Sequence, residues 1–191
     1  RNGYRIAFLI QIAISVLLFA SLPVWKKVSK IEDSTNVEQT KNLSIRETLK
    51  IPGVKFMCVL FFLTCAIECS CSGWGSTYLV EYKNMTAEQA ASVVLFYFVG
   101  MALGRFLSGV IADKLHSWKI IMIAESVLGV ALLLLTIPGA AILSSIGLFM
   151  IGLGNGPLFP NFNYLAPESF GKDVSESVIS LQMASAYVGI L

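Results

Sequence analysis

Glu68 is the residue whose position asks most directly for chemistry. It lies at the centre of an apolar run from Val54 to Val80. A carboxylate at that depth in a membrane costs roughly 2.5–3.5 kcal/mol on insertion scales. It is therefore kept only where a proton, a partner or a water-filled cavity relieves it. On a helix, Thr64, Glu68, Ser72, Gly75 and Ser76 share one face. This narrow polar stripe fits a proton-coupling or solute-binding carboxylate. It fits equally a structural carboxyl bonded to a neighbouring helix. Trp74 and Tyr78 follow among glycines, where they either line a solute path or join an interfacial aromatic belt.

Two further clusters invite a functional reading. Residues 152–163 read GLGNGPLFPNFN, and the glycines and prolines in them predict an interrupted helix. Interrupted helices at membrane depth occur around cavities. Asn155, Asn161 and Asn163 would there be placed to hydrogen-bond a polyhydroxylated solute; a kink without ligand contact is the alternative. The other cluster runs from Gly100 through Gly104 to Arg105, Gly109, Asp113 and Lys114. Its small-xxx-small spacing predicts close helix packing. Arg105, Gly109 and Asp113 recur every four residues and would stack on one face.

The elements that must carry these residues are membrane helices. Charged residues make up 14% of the chain and apolar ones 55%, against roughly 25% charged in soluble domains. Apolar segments span 4–24, 54–80, 91–112, 119–137 and 140–160, and a sixth begins near Val178. The complete ones approach the ~20 residues that cross ~30 Å of hydrocarbon. Strands are excluded because isolated ones leave backbone groups unpaired in lipid. The expected fold class is thus an all-α, polytopic transmembrane bundle of about six helices. It is organised as a helix over 1–24, a basic linker over 25–53 and a bundle over 54–191.

The linker carries Lys26, Lys27, Lys30, Lys41, Arg46 and Lys50. The positive-inside bias places it in the cytoplasm with the turn at Lys114, and places residues 81–90 and the Pro138–Gly139 turn outside. Ser44–Glu47 and Thr86–Gln89 have capping-box spacing and predict helix starts. The four cysteines, Cys58, Cys65, Cys69 and Cys71, share one apolar segment with no histidine nearby. They read as small apolar residues, so neither a metal nor a cofactor is expected. No HExxH, GxSxG or P-loop pattern appears, which argues against an enzyme. The basic residues are confined to a loop with acidic neighbours, which argues against nucleic-acid binding. Glu125 lies in a segment that reads as lipid-facing, and no role is assigned to it.

These residues resemble the major facilitator superfamily. Gly109-Val110-Ile111-Ala112-Asp113-Lys114 is similar to its G-x-x-x-D-[RK] signature, with His116 where glycine is usual. Glu68, residues 73–79, Gly104-Arg105 and residues 154–160 together resemble the fucose/glucose/galactose permease branch. The resemblance implies helices six to eleven of a twelve-helix fold. Its N-terminal half, outside this chain, would be the principal partner and would hold the best-understood coupling carboxylates of fucose permeases. It implies that the second and fifth segments line the cavity, that the first and fourth are peripheral, and that Arg105, Gly109, Asp113 and Lys114 form a cytoplasmic gate. The function it implies is alternating-access transport of a small polar solute, a sugar first, coupled to protons as coupling ion, in the cell membrane with lipid on all sides. Proton-coupled efflux of a drug or metabolite and a non-transporting solute sensor are the alternatives.

Overall fold

The computed structural model describes residues 2–34, 41, 43–138 and 141–190. Gly139, half of the turn expected at 138–139, and linker residues 35–40 lie outside the described residues. Helices dominate: α1 (Asn2–Ser34), α2 (Ile45–Thr48), α3 (Val54–Lys83), α4 (Ala87–Ile111), α5 (Ser117–Thr136), α6 (Ala141–Phe170) and α7 (Lys172–Ile190). Among the described residues, five helices are long and apolar enough to cross a bilayer: α1 over Tyr4–Pro23, and α3, α4, α5 and α6. α7 is 19 residues long and opens on a polar turn. The chain forms two compact units, Arg1–Thr40 and Lys41–Leu191.

In the first unit the helix does not stop at Val24. It passes Pro23 and continues to Ser34. Proline deletes one helical hydrogen bond without ending the helix, and the Lys- and Glu-containing stretch that follows has good helix propensity.

In the second unit, α6 packs against α3, α4, α5 and α7, and α3 packs along α7. Helix starts follow the capping chemistry. Ser44 N donates to Glu47 Oε2 at 2.9 Å and Glu47 N to Ser44 Oγ at 3.4 Å. Thr86 N donates to Gln89 Oε1 at 3.1 Å and Gln89 N to Thr86 Oγ1 at 3.3 Å. Residues before α2 are fastened to α7, with Lys41 N donating to Asp173 O at 2.8 Å and Leu43 N to Ser177 Oγ at 3.1 Å.

The largest departure from expectation is α6, which is one continuous helix through Pro157, Pro160 and Pro167. The glycines expected to break it are instead contact points. A Cβ on Gly152 would overlap the carbonyl oxygen of Tyr97, and one on Gly156 that of Met101. The relation is reciprocal: Cβ atoms on Gly100 and Gly104 would overlap the carbonyls of Phe149 and Leu153. On its other side, Gly154 would meet Ala124 O of α5 at 2.8 Å. Backbone-to-backbone approach on both flanks holds the helix together where its own propensity is poor. The helix also overruns the expected end at Pro160 to Phe170, and α7 begins at Lys172 rather than near Val178. Only Gly171, at φ +88°, separates them, a conformation that favours glycine.

Gly152→Ala should therefore overpack the α4–α6 contact and destabilise by about 1–3 kcal/mol. Gly129 has open space where a Cβ would go, so Gly129→Ala should be neutral or stabilising by up to ~1 kcal/mol. Thermal unfolding midpoints of the two variants in detergent check this pair.

Candidate functional site

α3 and α6 run in opposite directions, and Glu68 and Asn155 each occupy the fifteenth of thirty positions in their helix. They meet at mid-bundle, where Asn155 Nδ2 donates to Glu68 Oε2 at 3.3 Å. Asn155 is 2% exposed, while Glu68 is half-buried. The amide thus stands behind the carboxylate, and the carboxylate faces a cavity.

That cavity has a volume of about 360 Å³ and lies where α3, α4, α6 and α7 converge. Glu68 and Ser72 line it from α3, Arg105 from α4, Phe159 from α6, and Met183 and Tyr187 from α7. Ser72 gives its hydroxyl proton to Cys69 O at 3.2 Å, so its oxygen remains an acceptor. Arg105 is held by α6: its Nε donates to Gly156 O at 3.3 Å. Pro160 has no N–H to offer that carbonyl from four residues on. The proline thus creates an acceptor and the arginine fills it, leaving the other guanidinium N–H groups for the cavity. One carboxylate and one guanidinium, with a hydroxyl and two aromatic rings, can bind a small polar solute by charge-assisted hydrogen bonds. A second crevice of about 160 Å³, between α4, α5 and α6, is lined by Leu107, Ile111, Ile123 and other residues without an ionisable group.

Not all the residues singled out from the sequence converge here. Glu68, Ser72 and Asn155 do. Trp74 is exposed on α3 away from the cavity lining. Tyr78 donates from Oη to Leu135 O at 2.7 Å and stacks on Tyr82 with ring centroids 5.7 Å apart. Together with Lys83 Nζ donating to Ile137 O at 2.6 Å, it ties the end of α3 to that of α5. Asn161 is buried between α4 and α6, where Nδ2 donates to Ser108 Oγ and to Pro157 O, each at 2.7 Å. Asn163 lies two residues further along α6, outside the cavity lining. Of the four residues expected as a gate, Arg105 faces the cavity. Gly109 is exposed on α4, and Asp113 and Lys114 lie in the turn after α4 ends at Ile111. The four-residue stacking stops there because the helix does.

The sequence pattern of the Major Facilitator Superfamily matches residues 1–191. The chain belongs to that superfamily. It is a multi-pass membrane protein of a transporter family rather than an enzyme. It is also similar to the glucose/mannose transporter GlcP of Bacillus subtilis (strain 168), at 32% identity over 146 residues. That match covers 76% of this chain and 35% of the bacterial transporter, so the chain spans about a third of that relative's length. No solved structure matches significantly.

Sequence reasoning missed the α7 contribution to this superfamily member's cavity. Met183, Ala186, Tyr187 and Ile190 line it at helical spacing, and that periodicity was the available signal. Cys65 and Cys69 also line it, flanking Glu68 on α3.

Because Tyr78 serves as a tie, Tyr78→Phe should cost about 0.5–1.5 kcal/mol of stability and leave solute affinity unchanged. Thermal unfolding alongside equilibrium solute binding separates the two effects.

Proposed function

We propose that this chain is the cavity-bearing part of a secondary transporter that moves a small polar solute, a sugar first, by proton-coupled alternating access. The observation that carries the reading is an ionisable group, Glu68, at mid-bundle on the wall of a cavity shared by four helices. A carboxylate kept at that depth is expensive unless solute or proton uses it. Arg105 across the same cavity gives the solute a donor-rich wall, and Tyr187 and Phe159 give it apolar faces suited to a sugar ring. The similarity to a transporter named for glucose and mannose supports a sugar over a drug or other metabolite.

In this reading Glu68 takes up the coupling proton, or accepts hydrogen bonds from solute hydroxyls, during the cycle. Arg105 is fixed through Gly156 and stays with α6, while Glu68 belongs to the α3–α7 side of the cavity. Rearrangement between these helices would expose the cavity to one side of the membrane and then the other. Gly109, Asp113 and Lys114 lie at the end of the bundle that the positive-inside bias assigns to the cytoplasm, where they would close the cytoplasmic exit. The N-terminal half of the fold would supply the facing wall and further coupling groups. The membrane would be the cell membrane.

The test is uptake of labelled glucose, mannose, galactose and L-fucose into vesicles carrying the complete gene product, with and without an imposed proton gradient. Gradient-driven uptake of at least one sugar is expected. Glu68→Gln should lose the gradient dependence while retaining the fold. Uptake driven equally well by the gradient in wild type and Glu68→Gln would remove Glu68 from coupling, and no uptake of any sugar would move efflux to first place.

A further inference from the structure

Helices α4 and α5 are joined by a short turn, and each packs along α6, yet they scarcely touch each other. The gap between them is the apolar crevice of about 160 Å³, with α6 as its floor at Leu153, Gly154 and Pro157. Its two walls are each fixed to α6 at backbone distance. A Cβ on Gly104 of α4 would overlap the carbonyl of Leu153, and one on Gly154 would meet Ala124 O of α5 at 2.8 Å. The walls therefore cannot close on each other without breaking those contacts. From Ile111 to Gly104, at 1.5 Å per residue, the crevice reaches roughly 10 Å into the bundle.

Size and charge define what fits. Spread over that length, the volume holds one hydrocarbon chain and not a helix, which is about 10–12 Å across with its side chains. The lining has no ionisable group, but the mouth is charged. Lys119 lies one helical turn from Ile123 and two from Val127, both crevice residues, so a cation tops an apolar stripe on α5. On the α4 side the chain is still turning past Ile111, since Lys114 N donates to Ile111 O at 2.8 Å. Lys114 therefore sits next to Leu115, which also lines the crevice. Both lysines are exposed. Asp113 is the one carboxylate of this turn, so the mouth keeps a net positive charge. Glu168 of α6 lies on the far side of α5, where it accepts from Ser117 Oγ at 3.3 Å; residues two apart, such as Ser117 and Lys119, point to opposite sides of a helix. Trp118, exposed beside Lys119, is the residue type that marks the headgroup level of a membrane.

We infer that the α4–α5 crevice is a binding site for an anionic bilayer phospholipid, one acyl chain lying between the helices and the phosphate resting on Lys119 and Lys114. The inference requires only that the chain spans a membrane, and it is independent of the solute transported. The positive-inside bias puts the mouth on the cytoplasmic side, where anionic lipids are found. The bound chain would brace two helices that have little contact of their own.

The complete transporter would be reconstituted in phosphatidylcholine vesicles containing a trace of photoprobe. The probe is either phosphatidylglycerol or phosphatidylcholine, each with the same diazirine part-way along one acyl chain. Cross-linked residues are then mapped by peptide mass spectrometry. Phosphatidylglycerol should label Leu107, Ile111 and Ile123 about fivefold more than phosphatidylcholine does, while lipid-exposed residues elsewhere take both probes equally. Lys119→Gln should abolish that excess and leave phosphatidylcholine labelling unchanged. Val127→Phe, which fills the crevice and keeps the charges at its mouth, should abolish the excess too. If Val127→Phe yields no monodisperse protein, Lys119→Gln on the protein surface decides alone. Equal labelling by the two probes would mean ordinary surrounding lipid and would overturn the inference, as would an excess that survives Lys119→Gln. Labelling of other segments with none at these three residues would show that the N-terminal half of the fold covers the crevice, and would overturn it as well.

Discussion

The reciprocal glycine contact between α4 and α6 is the constraint on which the rest of the cavity depends. In lipid, helices gain little from burying apolar side chains, because the tails are as apolar as leucine, so association relies on close packing. Here the packing is as close as backbones allow. Gly100 and Gly104 receive the carbonyls of Phe149 and Leu153, and Gly152 and Gly156 those of Tyr97 and Met101. Such contact leaves no slack in register. It fixes Asn155 at the height of Glu68 and brings the carbonyl of Gly156 within reach of Arg105. Arg105 and Asn155 are thereby referred to one rigid pair of helices, while Glu68, Ser72 and Tyr187 reach the cavity from α3 and α7.

The prolines of α6 acquire meaning on this frame. Each removes a donor, and the resulting free carbonyl needs a partner in a medium without water. Arg105 supplies one for the acceptor that Pro160 exposes. The side chain of Asn161 adds a second donor at Pro157 O and reaches Ser108 on α4 as well. The apparent weakness of the helix is thus converted into tethers to α4. By contrast, α3 meets α6 through a single side-chain hydrogen bond at the cavity, Asn155 to Glu68. The helices divide into a locked set around α6 and a pair, α3 and α7, that packs along itself. The cavity lies at the seam between them, where a change in one carboxyl has the most leverage.

Much of this was legible in the sequence. The membrane character followed from apolar run length, although five rather than about six of the described helices are long and apolar enough to span, and the caps at Ser44 and Thr86 followed from four-residue patterns. Glu68 stood out because a carboxylate is improbable in its setting, and the family from residues spread along the chain. What failed was local inference about α6. Glycine and proline lower helix propensity, but propensity is a weak prior when tertiary contacts fill the gaps, and the carbonyls facing Gly152 and Gly156 belong to a helix fifty residues earlier in the chain. The asparagines illustrate the same limit. Asn155, Asn161 and Asn163 look equivalent in sequence, yet one meets Glu68, one ties α6 to α4, and one lies away from the cavity.

The central claim is that solute occupies the cavity beside Glu68. Cys69 lines that cavity, while Cys71 packs at the edge of the α4–α6 core. The most direct measurement is therefore the rate of maleimide labelling at each cysteine of the complete transporter, resolved by peptide mass spectrometry, with and without saturating glucose. Occupancy predicts that glucose slows labelling of Cys69 and leaves the slow labelling of Cys71 unchanged. Labelling of Cys69 that is indifferent to glucose, in a preparation that binds it, would place the solute elsewhere and contradict the account.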